Sequence, residues 1–362
     1  MVRFLFIFLL NVFLLSPGRA EWKRAYAGWE YAFPRDHRAH EDFKTEWWYL
    51  TGDLKTVEGR RFGYQLTFFR QGVRSPAEVA AEPTSSKLIT NEFHFAHFTI
   101  TDVANKEFHV DKKLSRGVFG TSGFGSERLA WIDDWEMRLV APDVFSIRAG
   151  AEWGTLELTL SAARKPVFHG KDGVSQKSEA PGNASHYYSY SRLKATGRLR
   201  LGKEDHVVEG RTWFDREWGT SQLGKDQVGW DWFCLQFEGG SELMIYQLRE
   251  RDGQPSTMSS GTYIAADGQT TTLARADFSL SPVDFWESSS GGRYPVAWRI
   301  EIPGLALSLD VTTPVKKQEL RLDPLVYWEG LIDARGRLDR KKVVASGYQE
   351  LTGYARPIQG LR

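Results

Sequence analysis

Short runs in which apolar and polar residues alternate dominate this chain. Phe62, Tyr64, Leu66 and Phe68 alternate with more polar neighbours, the period-two signature of a half-buried strand. Similar runs recur at 93–101, 108–110, 156–160, 187–193, 233–237, 243–248 and 305–311. Turn signals at Glu58-Gly59, Glu238-Gly239-Gly240, Asp252-Gly253 and Asp267-Gly268 separate them, as hairpins require. Helical periodicity is limited to one or two turns at 76–81. Many short strands joined by tight turns predict an all-β chain, either a sandwich or antiparallel barrels. Two stretches, 165–183 and 286–295, read as loops, the first as a surface loop in preference to a lid.

The N-terminus carries a different pattern. Arg3 precedes an almost unbroken apolar run from Phe4 to Leu15, followed by Ser16-Pro17-Gly18 and a small residue at Ala20. That arrangement predicts a cleavable secretory signal peptide over residues 1–20, and so a secreted or periplasmic protein. The run falls short of the roughly 20 apolar residues that span a bilayer, so no stable transmembrane anchor is expected.

The remainder, 21–362, is long enough for two cores. Glu46-Trp47 and Glu217-Trp218 each stand near a glycine, and Thr196-Gly197 and Thr352-Gly353 each follow a Tyr and a Leu. Taken as openings and closings of a faint repeat, they predict a first domain over 21–205 and a second over 206–362.

Charge and cysteine content narrow the function. A formal charge of +1 argues against nucleic acid or an acidic membrane surface as a partner. Cys234 is the only cysteine, which excludes an internal disulfide and reads as a small buried apolar residue. His94 and His97 lie three apart on a strand and so face opposite ways, and His37 and His40 lack the Glu of a zinc-protease helix; no metal site is expected. No phosphate loop, dinucleotide fingerprint or nucleophile elbow occurs.

What remains is an unusual density of Trp beside carboxylates. Asp215, Glu217 and Asp231 are interleaved with Trp213, Trp218, Trp230 and Trp232. On an extended strand Asp215 and Glu217 share a face with Trp213, while Asp231 shares one with Phe233, Leu235 and Phe237. A carboxyl on an apolar face is desolvated, its pKa rises, and it can serve as a proton donor near neutral pH. The plainer alternative pairs Asp215 and Glu217 with Arg211 or Arg216 at a barrel entrance. In the first half Trp48 shares a face with Glu46 and Leu50, and Trp47 and Tyr49 share the other. One of those faces is core, and the other closes the barrel or meets the second half.

Four segments together resemble the carotenoid 1,2-hydratase family, also called hydroxyneurosporene-synthase-like or "predicted secreted hydrolase". They are Glu46-Trp47-Trp48-Tyr49, 187–197, Trp213-Phe214-Asp215-Arg216-Glu217-Trp218-Gly219 and Gly229-Trp230-Asp231-Trp232-Phe233, with a similar closing stretch at 347–354. The resemblance implies two consecutive lipocalin-like antiparallel β-barrels and a cofactor-independent addition of water to an isolated double bond. Asp215, Glu217 or Asp231 would supply the acid chemistry. Glu46, Trp47, Trp48, Tyr49, Trp218, Trp230 and Trp232 would form the substrate site, where Trp faces stabilise a carbocation by ~0.5–2 kcal/mol per contact. One position departs from the family pattern: Arg216 stands where similar sequences carry histidine, and an arginine does not relay protons. The resemblance also allows a carrier of a hydrophobic small molecule or lipid, working beside an ABC-type permease. A glycan-acting enzyme with paired carboxylates is a third and weaker reading.

Overall fold

The computed structural model describes residues 21–83, 86, 89–221, 223–323 and 325–358. The signal-peptide segment, 1–20, lies outside them. The described residues are almost entirely antiparallel β-structure in two sheets, one of 13 strands and one of 10. Each curls around its own apolar core to form a barrel, giving two consecutive lipocalin-like barrels. The turn glycines Gly59, Gly240, Gly253 and Gly268 all take positive φ, as tight hairpins require. The predicted turn of helix is Pro76–Ala81, capped by Ser75.

The two sheets share one strand order. In the first, the opening strand Thr45–Lys55 pairs on one side with Arg61–Gly72 and on the other with the final strand Glu204–Gly219. In the second, Gln227–Phe237 pairs with Glu242–Glu250 and with the final strand Lys341–Leu351. The repeat is therefore real, but its register differs from the one read in the sequence. Glu204–Gly219 is hydrogen-bonded on both sides within the first sheet, so a boundary at 205/206 cuts through a hairpin. The chain changes sheet between Gly219 and Gln227. Trp213–Gly219 thus closes the first barrel, and its counterpart is Tyr348–Leu351.

Both stretches read as loops are more ordered than expected. Within 286–295 a hairpin joins Ser279–Glu287 to Arg293–Ile302. Within 165–183 two short strands, Val167–Phe168 and Val174–Gln176, pair with Ala184–Leu201 and carry His169, Ser175 and Lys177 into the interior.

Alternation along the paired opening and closing strands decides where the barrels meet. Trp48 and Trp218 point into the first core, and Phe233 and Leu235 into the second. The other face of each strand carries Tyr49, Tyr187, Trp213, Trp232, Cys234 and Tyr348, which form a third apolar cluster between the barrels. Polar contacts fix the junction: Arg164 Nη1 lies 2.7 Å from Glu242 Oε2, and His97 Nδ1 2.8 Å from the Tyr327 hydroxyl. Gly63 permits the close approach, because a Cβ there would stand 2.6 Å from the Tyr348 hydroxyl.

Candidate functional site

A cavity of about 610 Å³ lies between the barrels, walled by their outward faces. Trp47, Tyr49 and Phe69 line it from the first barrel, and Trp230, Trp232 and Tyr246 from the second. The volume suits a drug-sized apolar ligand with a few placed polar groups. The cavity contains four carboxyl groups: Asp215 and Glu217 from the first sheet, Glu329 and Glu350 from the second.

Asp215 is held in place by three donors. Trp213 Nε1 donates to Oδ1 at 2.5 Å, Ser189 Oγ donates to the same oxygen, and the Tyr187 hydroxyl donates to Oδ2 at 2.7 Å. Burial outweighs those bonds, and the nearby Glu217 charge adds to it, so the Asp215 carboxyl is pushed up to about 7. Trp232 Nε1 in turn donates to the Tyr187 oxygen at 3.2 Å. Behind Ser189, His169 Nε2 lies 2.6 Å from Oγ and Nδ1 lies 2.9 Å from Thr262 Oγ1. Burial pulls this imidazole down to about 3, so the ring is neutral. Because Ser189 donates its hydrogen to Asp215, Nε2 carries the ring proton and Nδ1 accepts from Thr262.

Glu350 occupies the second wall, where Trp230 Nε1 donates to its Oε2 at 2.9 Å. Burial, with the charges of Asp215 and Glu217, pushes its carboxyl up to about 7 as well. Two groups that sense each other and sit near one value titrate as a pair. Glu329, cross-strand from Glu350, is raised well above the carboxylate range by burial and by the Glu350 charge. Glu217 has a cationic partner: Lys177 Nζ lies 3.1 Å from its Oε1, and Ser185 donates to the same oxygen. Burial pulls Lys177 down, yet the charge and hydrogen bond of Glu217, with Tyr246 and Asp215 nearby, together more than offset it and keep the ammonium charged.

The sequence-based candidates divide among three places. Asp215, Glu217, Trp47, Tyr49, Trp230 and Trp232 come together in the cavity. Glu46, Trp48 and Trp218 lie on the inward face of the same strands: Glu46 is clamped by Arg70 and Arg216, and the Arg216 guanidinium sits 3.6 Å from the Trp48 ring centroid. Asp231 points into the second barrel, paired with Arg249 and accepting from the Tyr354 hydroxyl at 2.9 Å. Its apolar face proved to be the barrel interior. Glu329, Glu350 and Lys177 were absent from the sequence-based set. A strand-for-strand repeat register would have placed Glu350 as the counterpart of the Asp215–Glu217 pair.

The AttH-like family model matches residues 24–354 of the chain. The chain belongs to the AttH-like family. A crystal structure of an AttH from Nitrosomonas europaea covers 92% of this AttH-like chain and 99% of its own, with a TM-score of 0.82 at 30% identity. Kievitone hydratase from Nectria haematococca shares the fold, with a TM-score of 0.71 at 15% identity over 92% of this chain and 94% of that one. The dehydratase asqC of Emericella nidulans is 25% identical over 172 residues, 45% of this chain and 47% of its own. The AttH-like chain thus spans about half the length of that curated relative. The hydratase-like resemblance read from the motifs agrees with this family membership.

Proposed function

We propose that this chain is a hydro-lyase-type enzyme that adds water to, or removes it from, a largely apolar small molecule held between the two barrels. One observation carries the reading: Asp215 and Glu350, from opposite sheets, line one apolar cavity and are both poised near pH 7. A pair of that kind holds one acid and one base at neutral pH. The names of the hydratase and dehydratase relatives support the same class.

In the hydration direction Asp215 begins protonated, and its bond to Tyr187 is reversed so that the carboxyl donates. The phenolic hydrogen then points into the cavity. It moves to an alkene carbon as the Asp215 proton moves to the phenol oxygen, leaving Asp215 ionised and a carbocation on the substrate. Trp47, Trp230 and Trp232 stabilise that charge through their faces. Water adds to the cation, and its surplus proton passes to the Glu350 carboxylate. Proton exchange within the pair resets the site, and the reverse sequence expels water.

We extend the proposal to the setting. The apolar walls suit an isoprenoid or lipid-like substrate, the N-terminal apolar run supports an encounter outside the cytoplasm, and the family resemblance supports an ABC-type permease as the neighbour there. The test is incubation of the full chain with prenylated alkenes and their hydrated forms in H₂¹⁸O, followed by mass spectrometry. Label enters the product with wild-type protein and not with Asp215→Asn or Glu350→Gln. Equal incorporation by wild type and both variants overturns the mechanism, and an unmodified ligand retained without any label favours a carrier.

A further inference from the structure

The end of the cavity around Glu329 contains polar atoms that the protein itself does not satisfy. Both Glu329 carboxyl oxygens, the Tyr49 hydroxyl and Gln65 Oε1 have no hydrogen-bond partner among the described residues. All three side chains line the cavity and are deeply buried, at 1%, 7% and 0% exposure respectively. Their placement follows from strand alternation: Trp328 enters the second barrel core, so Glu329 faces the other way, and Leu50 does the same for Tyr49. The hydroxyls of Tyr49 and Tyr327 stand close enough to the Glu329 carboxyl to interact with it, but outside hydrogen-bonding geometry, and the Tyr327 hydroxyl lies 2.8 Å from His97 Nδ1.

Native interiors rarely leave such groups unmatched, because each carries its full desolvation penalty. We infer that Glu329, Tyr49 and Gln65 form a subsite for a neutral hydroxyl group, so that the molecule held between the barrels is an oxygenated apolar compound in preference to a plain hydrocarbon. The donor pattern is specific. One hydrogen of Gln65 Nε2 is donated to Thr67 Oγ1 at 2.6 Å, and Oε1, which can only accept, has no partner among the described residues. Glu329, kept neutral by burial and by Glu350, offers one donor and one acceptor, and Tyr49 adds a donor. A hydroxyl can donate to Gln65 and accept from Glu329 or Tyr49. An ether can only accept, and a hydrocarbon can do neither.

This inference rests on the apolar-substrate reading of the cavity, and a binding experiment separates the two. Farnesol, farnesyl methyl ether, β-farnesene and farnesylamine would each displace the dye N-phenyl-1-naphthylamine from the full chain. Farnesol should bind roughly tenfold or more tightly than the ether and the hydrocarbon. Glu329→Leu should erase that preference, and Glu329→Gln should keep it, because the amide also offers a donor and an acceptor. If Glu329→Leu fails to fold, Tyr49→Phe gives the same readout with a severalfold loss. Equal affinity for alcohol, ether and hydrocarbon overturns the hydroxyl subsite and leaves the hydro-lyase reading standing. Tighter binding of the amine than of the alcohol overturns it in favour of a cation site. Failure of all four to bind overturns it together with the apolar-substrate reading beneath it.

Discussion

The two faces of one strand pair carry buried carboxylates to opposite ends. Thr45–Lys55 and Glu204–Gly219 lie in register, so Trp48 opposes Arg216 while Trp47 opposes Glu217 and Tyr49 opposes Asp215. On the inward face burial alone would push Glu46 up, but Arg70 and Arg216 hold it well below the usual carboxylate range. The Glu46 charge is kept there because two guanidinium groups pair with it, as a buried charge requires. On the outward face Asp215 has only neutral donors, and no ion pair reaches Glu329 or Glu350 among the described residues. Glu217 is set apart from these by its Lys177 partner. Similar burial therefore gives a charged clamp on one side and, at Asp215, Glu329 and Glu350, carboxyls pushed toward the neutral form on the other. A single-residue step along the strand separates them.

The sharpest way to break this comparison is Asp215→Asn, which should lower turnover by roughly 10²–10⁴-fold while the protein still folds. Retention of ¹⁸O incorporation would end the assignment of chemistry to the outward face. On the inward face, Glu46→Ala leaves Arg216 buried without a carboxylate and Arg70 with Glu92 alone, and should cost about 3–5 kcal/mol in denaturant unfolding.

The pH dependence of stability separates the faces next. Asp215 and Glu350 have folded values near 7, above their ordinary carboxylate values, so their contribution is fully present below about pH 4. It is lost as pH rises from about 4 to 7 and does not return above that. Asp215→Asn and Glu350→Gln should therefore each flatten this decline, by up to about 3–4 kcal/mol between pH 4 and pH 8. Asp231→Asn should cost only ~1–3 kcal/mol, from the weakened Arg249 pairing, and leave turnover near wild type. Trp232→Phe is the mildest change. Losing its bond to Tyr187 should alter the rate by less than about tenfold, seen as a displaced limb of the pH–rate profile.

Much of the fold was legible because strand alternation and turn glycines are local properties. Phe62–Phe68 and the helix at 76–81 needed no partner to be recognised. The domain boundary was less accessible. Trp213–Gly219 carries an aromatic motif like that of an opening strand, and only its hydrogen bonds to Thr45–Lys55 show that it closes the first barrel. The site was half legible for a similar reason. Asp215, Glu217, Trp230 and Trp232 announced themselves by clustering Trp with carboxylates, whereas Glu329 and Glu350 lie more than a hundred residues away from Asp215 in ordinary-looking strands. Lys177 sat in a stretch whose Gly, Ser and Lys content signalled solvent.

Strand alternation was enough to show that the chain is all-β and which residues share each face of each strand, because the two-residue period is built into the extended backbone. The repeat hinted at in the motifs was established by the strand order. Which of two equally apolar faces is core and which is cavity wall emerged only once the barrels were packed. That choice depends on how two curled sheets pack against each other, and the packing is what turned Asp231 into a paired core residue and Asp215 into a candidate acid.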